Sequence, residues 1–353
     1  MAVERRMSTR LPVLDGLRAA AILLVMISHA GLEGIVPGGF GVTIFFFLSG
    51  YLITTLMVVE WSNSEQVDLR GFYLRRAVRI IPPMIIAIFA AVFLSLVGLG
   101  KPLNGAGLIW DLLFLSNYAP LFGAGSNLPI PLWSLAVEEH FYLLFPILFI
   151  AIRIRARNAT VAATCAVLCV AVLLIRIWHV EIGTAPDVTY YWSHTRIDSI
   201  LFGCILATWN NPATGDRSYI GGGFGYALLG AVLIALSLAI RDPLFRDTWR
   251  YTVQGCGLFF LFNYALRGGG IVGEFLSSAP LRIVADLSYF LYLIHFPLLV
   301  TMKSLPVPPL AQYAVALALA FLFAVAVRHF VELPLLRWRK SLSAQPSIKV
   351  SSV

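Results

Sequence analysis

Apolar runs close to the length of a bilayer crossing recur from one end of this chain to the other, and no long polar stretch separates them. A crossing helix needs ~20 mainly apolar residues. Backbone groups in hydrocarbon must be satisfied internally, so such a chain is restricted to a bundle of membrane helices. Composition agrees: 59 % of the 353 residues are hydrophobic and 12 % charged, where a soluble domain has roughly 25 % charged. The expected fold is all-α and polytopic, with a single membrane domain over residues 1–340. A short serine-containing tail, 341–353, is expected to be disordered.

Candidate spans fall at 12–30, 39–59, 80–99, 132–152, 159–178, 196–209, 219–240, 251–266, 283–302 and 310–330, about ten helices. The segment 107–122, "GLIWDLLFLSNYAPLF", is short and carries Asp111 and Asn117, and it reads as a re-entrant or interfacial piece. Ten spans put Arg5, Arg6 and Arg10, the arginines of 70–79, "RIRAR" at 153–157 and "RWRK" at 337–340 all on one side. The positive-inside rule makes that side the cytoplasm, with both termini in it. An eleventh span at 107–122 would move "RIRAR" outside. The loop "RDPLFRDTWR" (241–250) falls outside despite three arginines, a departure from the rule. The first apolar run lacks a small-residue cleavage site, so it is expected to be retained as a span.

The net charge of +8 does not point to nucleic acid, because the arginines adjoin apolar runs as membrane topology requires. Cys165, Cys169, Cys204 and Cys256 all lie inside apolar runs and read as small core residues, with no disulfide or metal implied.

Ionisable residues inside the spans carry the functional signal. "RAAAILLVMISH" (18–29) has Arg18 and His29 at its two ends. Eleven residues make about three turns and roughly 16 Å, which puts both on one helix face at different depths. The plain alternative is that Arg18 snorkels to one interface and His29 ends the helix at the other. In "FYLRRAVRIIPP", Arg76 and Arg79 stand at i and i+3, so two guanidinium groups project from one face and can chelate a phosphate or pyrophosphate. A topogenic charge cluster is the alternative. "PLWSLAVEEHFYLLFP" (131–146) places Glu138, Glu139 and His140 near a membrane boundary, with Glu138 one turn after Ser134. An interfacial polar cap would account for them equally. Arg196 and Asp198 head a later span, His295 precedes a proline and reads as a structural histidine, and Glu332 reads as an interfacial ion-pair partner.

Taken together, these stretches resemble the acyltransferase family 3 membrane proteins, which transfer acyl groups from acyl-CoA to sugars and other acceptors. "LDGLRAAAILLVMISH" resembles the family's signature first helix and "FFFLSGYLIT" its second. "RRAVRIIP" carries the arginine pair, and "WSLAVEEHFYLLFP" resembles the Ser-Leu-x-x-Glu motif at Ser134, Leu135 and Glu138. "TRIDSILFG" and "LSYFLYLIHFP" are similar to later signatures. Six such stretches in the family's order make the match specific. Many members have glutamine where this chain has His140. Others carry a soluble esterase-like domain after the last helix. This chain is expected to be the form without one, so that its chemistry resides in the membrane domain.

The resemblance implies an integral protein of a bacterial inner membrane that moves an acyl group, acetyl above others, from cytoplasmic acyl-CoA. The acceptor would be a hydroxyl of a carbohydrate or glycoconjugate, often a surface polysaccharide. Arg18, Arg76 and Arg79 would hold the donor. His29 would act as general base or as an acyl-histidine relay, with Glu138 orienting or charge-balancing the site, and no metal is implied. Two rival classes stay open at this stage. One is a permease exporting polysaccharide or lipid-linked sugars, which would release no CoA. The other is a non-catalytic scaffold of a polysaccharide assembly complex, which would tolerate loss of His29.

Overall fold

The computed structural model describes residues 11–343 except 213, 215–219 and 269, and the described residues form helices and no strands. Ten longer helices follow in order. Helix α1, Pro12–Ile27, runs into a π-helical turn, Ser28–Leu32. Then come α2 (Gly38–Ser64), α3 (Leu69–Leu96), α4 (Leu132–Arg153) and α5 (Asn158–Glu181). They are followed by α6 (Asp198–Trp209), α7 (Phe224–Ala239), α8 (Trp249–Leu266), α9 (Ala279–Lys303) and α10 (Pro309–Val327). A second π turn, Arg328–Glu332, carries α10 into a terminal helix, Leu333–Ser343. Residues of the expected tail from 344 onward lie outside the described ones.

Each of the ten expected segments holds one of these helices among its described residues, but the expected count of about ten crossings is not established. Among the described residues seven helices, α1 to α5, α9 and α10 with its extension, are long and apolar enough to cross a membrane. The difference has a physical reason. α6 has 12 residues and α7 has 16, and a 12-residue helix spans about 18 Å against a ~30 Å hydrocarbon core. α8 has 18 residues but carries Arg250, Gln254 and Asn263. The segment 107–122 is no continuous helix: it holds the end of one 3₁₀ turn, a helical turn over Leu108–Leu112 and a second 3₁₀ turn over Ala119–Phe122.

Local chemistry sets several helix ends. Asp68 caps α3 by accepting from the Gly71 N–H at 2.9 Å, and Pro12, Pro280 and Pro309 open α1, α9 and α10 near the first helical position. α2 lies at the centre of the bundle, with 72 % of its apolar window buried against 22 % for α10. Its contact with α6 is backbone to backbone. A Cβ on Gly50 would lie 2.0 Å from the Ile200 carbonyl oxygen, and one on Gly203 2.1 Å from that of Phe47. Small residues at membrane helix interfaces permit such close approach.

α5 and α6 are joined by a fully buried ion pair, Arg176 Nη2 to Asp198 Oδ2 at 2.7 Å. The rest of that guanidinium donates to the carbonyls of Thr248 (2.9 Å) and Thr195 (2.7 Å) and to the Thr252 hydroxyl (2.7 Å). A buried charge pair is tolerable when its donors are satisfied in this way.

Candidate active site

Two cavities open in the bundle, one toward the end where α1 begins and one where it ends. The first is narrow, about 110 Å³, and is lined by Arg18 of α1, Arg76 and Arg79 of α3, Glu138 and Tyr142 of α4, and Tyr292 of α9. The i, i+3 spacing of Arg76 and Arg79 does bring both to one space. Arg18 pairs with Asp15 at 3.2 Å, and Glu138 Oε2 accepts from the Tyr142 hydroxyl at 2.8 Å. The Arg76 guanidinium lies 4.6 Å from the centre of the Tyr142 ring. Among the described residues neither Arg76 nor Arg79 has an ion-pair partner. Two guanidinium groups without a direct ion pair, with Glu138 the one carboxylate among the lining residues, leave a net positive slot that can take an anion.

The second cavity is larger, about 390 Å³. His29 and Glu33 reach it from the end of α1, Tyr190 from the short helix Pro186–Tyr191, Arg246 from the α7–α8 connection, and Arg250 and Gln254 from α8. His29 sits within the π turn, where Gly31 adopts φ 95° and ends the helix. Such bulges insert a residue into the helical ladder and re-aim side chains, often at functional sites. Burial pushes the Tyr190 phenol up to about 12, so it remains a hydrogen-bond donor across the physiological range.

Helix α9 supplies a partner for His29. His29 Nδ1 and His295 Nε2 are 3.0 Å apart, the rings within 5° of parallel, and His295 Nδ1 lies 3.0 Å from the Leu291 carbonyl oxygen. A carbonyl can only accept, so His295 carries its proton on Nδ1. Its ring is fully buried and no carboxylate pairs with it, which favours the neutral form. His295 Nε2 is then an acceptor, and His29 must donate from Nδ1. That leaves His29 Nε2 with a free lone pair, hydrogen-bonded to no described residue, on a side chain that lines the second cavity. Tyr292 lies between the first cavity and the histidine pair. It lines the first cavity, shares a 2.6 Å hydrogen bond with Ser134, and its ring centre is 6.0 Å from that of His295.

The structure therefore divides the residues singled out in the sequence. Arg18, Arg76, Arg79, Ser134 and Glu138 line the first cavity, and His29 lines the second. Glu138 stands with the arginines, not beside His29. His140 is in neither lining; its Nδ1 is 2.6 Å from the Ser193 hydroxyl, which accepts from Asn117 at 2.9 Å. Glu332 pairs with Arg328 at 2.9 Å, as an interfacial partner should. Arg196 is fully buried behind the second cavity, its guanidinium 3.9 Å from the Tyr251 ring centre and 5.3 Å from that of Tyr190.

Sequence reasoning missed the pairing of His295 with His29, the role of Arg176, and the 241–250 loop as a cavity wall. An arginine amid the apolar residues of "AVLLIRIW" was a signal for the second. The departure from positive-inside was a signal for the third.

Comparison with known proteins agrees with this geometry. Residues 11–329 match a family model described as an acyltransferase domain. The chain is 31 % identical over 361 residues to the O-acetyltransferase OatA of Staphylococcus aureus (strain NCTC 8325 / PS 47), covering 94 % of this chain and 58 % of that protein. It is 30 % identical over 351 residues to the putative peptidoglycan O-acetyltransferase YrhL of Bacillus subtilis (strain 168), covering 92 % and 55 %. To the peptidoglycan O-acetyltransferase OatA of Listeria monocytogenes serovar 1/2a it is 29 % identical, with 92 % and 55 % covered. The chain thus matches little more than half the length of these relatives. No solved structure matches it. With a family model spanning nearly its whole length and relatives at about 30 % identity, the chain belongs to acyltransferase family 3.

Proposed function

We propose that this protein is a membrane O-acyltransferase that moves an acyl group from cytoplasmic acyl-CoA to a hydroxyl of a cell-wall glycan on the opposite side of the membrane. Acetyl is the favoured group and peptidoglycan the favoured acceptor, because the relatives are named for that reaction. The observation that carries the reading is the His29–His295 contact, which leaves a lone pair on His29 Nε2 at the larger cavity. An exporter or a scaffold has no use for an imidazole held in one tautomer.

In this mechanism Arg76 and Arg79, with Arg18 deeper in the same slot, bind the phosphates of CoA. The narrow cavity admits the pantetheine arm toward Tyr292 and Ser134 rather than the bulky nucleotide. The acceptor enters the other cavity. His29 Nε2 removes the proton of the acceptor hydroxyl as its oxygen attacks the thioester carbonyl. Collapse of the tetrahedral intermediate breaks the carbon–sulfur bond, and the proton passes from His29 to the departing CoA thiolate. His295, hydrogen-bonded to Nδ1, fixes the tautomer and stabilises the imidazolium that forms, the logic of an orienting group behind a general base. Glu138 balances the arginines. A relay through an acyl-histidine is the competing form of the same site. The reading places the α1 N-terminus, 153–157 and the chain's C-terminus in the cytoplasm of a bacterial cell, its inner membrane holding the bundle.

The test is His29→Ala and His29→Gln in purified protein given acetyl-CoA and glycan. Turnover should fall by roughly 10²–10⁴-fold, the usual contribution of a general base, while acetyl-CoA binding persists. The wild-type rate should decline as pH falls through the titration of His29, because the protonated ring has no lone pair to offer. That limb should be absent from the variants. A burst of about one equivalent of CoA without acceptor would select the relay. Near-normal turnover by well-folded His29→Ala protein would defeat both forms.

A further inference from the structure

The wall of the second cavity carries a charge that acyl transfer to a neutral sugar does not need. Arg241, Arg246 and Arg250 line it, with Glu33 the one carboxylate among its lining residues. Among the described residues none of the three arginines forms an ion pair. The nearest acids on their own loop offer no close pairing: Asp242 accepts from the Phe245 N–H at 2.8 Å, and Asp247, within electrostatic reach of Arg246 and Arg250, forms an ion pair with neither. Arg250 donates to the Tyr251 hydroxyl at 2.7 Å, and its buried Nε has no partner. Behind the wall, fully buried Arg196 has ring contacts and hydrogen bonds to the Tyr190 carbonyl and the Thr43 hydroxyl, but no carboxylate partner. Its Nε is also unpartnered.

Uncompensated cations around a concavity with low-dielectric walls focus a positive potential into it. On the topology proposed above, the loop falls on the side where the positive-inside rule disfavours these arginines. Their place on the wall of the space that His29 enters ties the charge to whatever reacts there. The remaining lining suits a carbohydrate. Tyr190, Tyr251 and Phe40 are among its lining residues, and Thr43 donates to Gln254 Oε1 at 3.2 Å, which leaves the Gln254 amide N–H groups to the cavity.

We infer that the second cavity is an acceptor site selective for an anionic glycan, one bearing a carboxylate or phosphate close to the acylated hydroxyl, with Arg241, Arg246 and Arg250 as its anion clamp. This rests on the acyl-transfer reading for its purpose but not for its measurement. The anionic group can come from the sugar itself or from the pyrophosphate of a lipid carrier, and the same chemistry serves both.

The experiment measures binding with full-length His29→Ala protein in nanodiscs, where no turnover intervenes. Three probes are compared: neutral chitotetraose, a tetrasaccharide alternating N-acetylglucosamine with N-acetylmuramic acid bearing free carboxylates, and a disaccharide on polyprenyl pyrophosphate. At least one anionic probe should bind tenfold or more tighter than chitotetraose, with affinity falling as salt rises. Preference for the tetrasaccharide assigns the clamp to a sugar carboxylate, and preference for the lipid-linked probe assigns it to the carrier phosphate. Arg246→Gln and Arg241→Gln, at exposed positions where folding is least at risk, should reduce that preference by about 10-fold each, as loss of a charge-assisted contact implies. Arg246→Lys should restore part of it. Equal binding of neutral and anionic probes, or an anionic preference unaffected by both substitutions, would overturn the inference. If the clamp holds but wild-type protein acylates none of the probes, the acyl-transfer reading fails while the anion site stands.

Discussion

Replacing His295 tests the hydrogen bond on which the catalytic reading depends. The 3.0 Å contact gives the half-buried His29 Nδ1–H its acceptor, and the 3.0 Å bond to the Leu291 carbonyl holds His295 in the accepting tautomer. His295→Leu keeps the volume of the fully buried site but removes the acceptor. Leaving a buried donor unsatisfied costs ~1–3 kcal/mol, and the imidazolium formed in the transition state loses its orienting partner as well. At 1.36 kcal/mol per decade, kcat should fall by roughly 10–100-fold. His295→Gln can present an amide oxygen to Nδ1 and should recover part of that loss. The KM for acetyl-CoA should move little, because the arginines line a cavity that neither His29 nor His295 lines. The acidic limb of the pH profile should survive, since His29 still titrates. Acceptor-dependent CoA release by protein in nanodiscs, with thermal unfolding to confirm integrity, provides the assay. Full activity in His295→Leu, or equal losses in the leucine and glutamine variants, would refute a tautomer-fixing role.

Three further outcomes follow from other parts of the bundle. Arg79→Ala should raise the KM for acetyl-CoA by an amount consistent with a lost charge-assisted contact of ~1.5–3 kcal/mol, with lysine rescuing only in part because it lacks the planar fork; unchanged acetyl-CoA affinity would remove the phosphate clamp. Arg176→Met should destabilise the protein by about 3–5 kcal/mol by stranding Asp198, and Arg176→Met with Asp198→Leu should recover much of that, read as thermal unfolding in detergent. Cysteine labelling of intact cells should find 153–157 protected and 241–250 reactive from outside; the reverse would invert the proposed topology.

The sequence made the helical class legible because hydrophobic runs of bilayer length have few other folds. It could not fix the number of crossings, because length in the sequence is not length in the helix. The window 196–209 reads as a span, but the helix α6 that forms there, Asp198–Trp209, has only 12 residues. Within the site, contacts governed by one helix were readable and contacts between helices were not. Arg76 and Arg79 share a cavity because i, i+3 geometry is local. The helical repeat likewise put Arg18 and His29 on one face, but the π turn at Ser28–Leu32 intervenes and they line different cavities.

His295 shows what such locality leaves out. Taken singly it is a polar residue in an apolar helix, which a hydrogen bond to its own backbone would explain, and it does make that bond. Yet the bond to Leu291 does more than satisfy a nitrogen. By holding the proton on Nδ1 it turns Nε2 into an acceptor, and α1 and α9, 266 residues apart at this contact, bring His29 to that acceptor. The proton positions then propagate along a chain of three groups, carbonyl to His295 to His29, and end in a lone pair beside the larger cavity. A structural histidine and a catalytic one are therefore not alternatives at this position, since satisfying the backbone is what gives His29 its basic nitrogen.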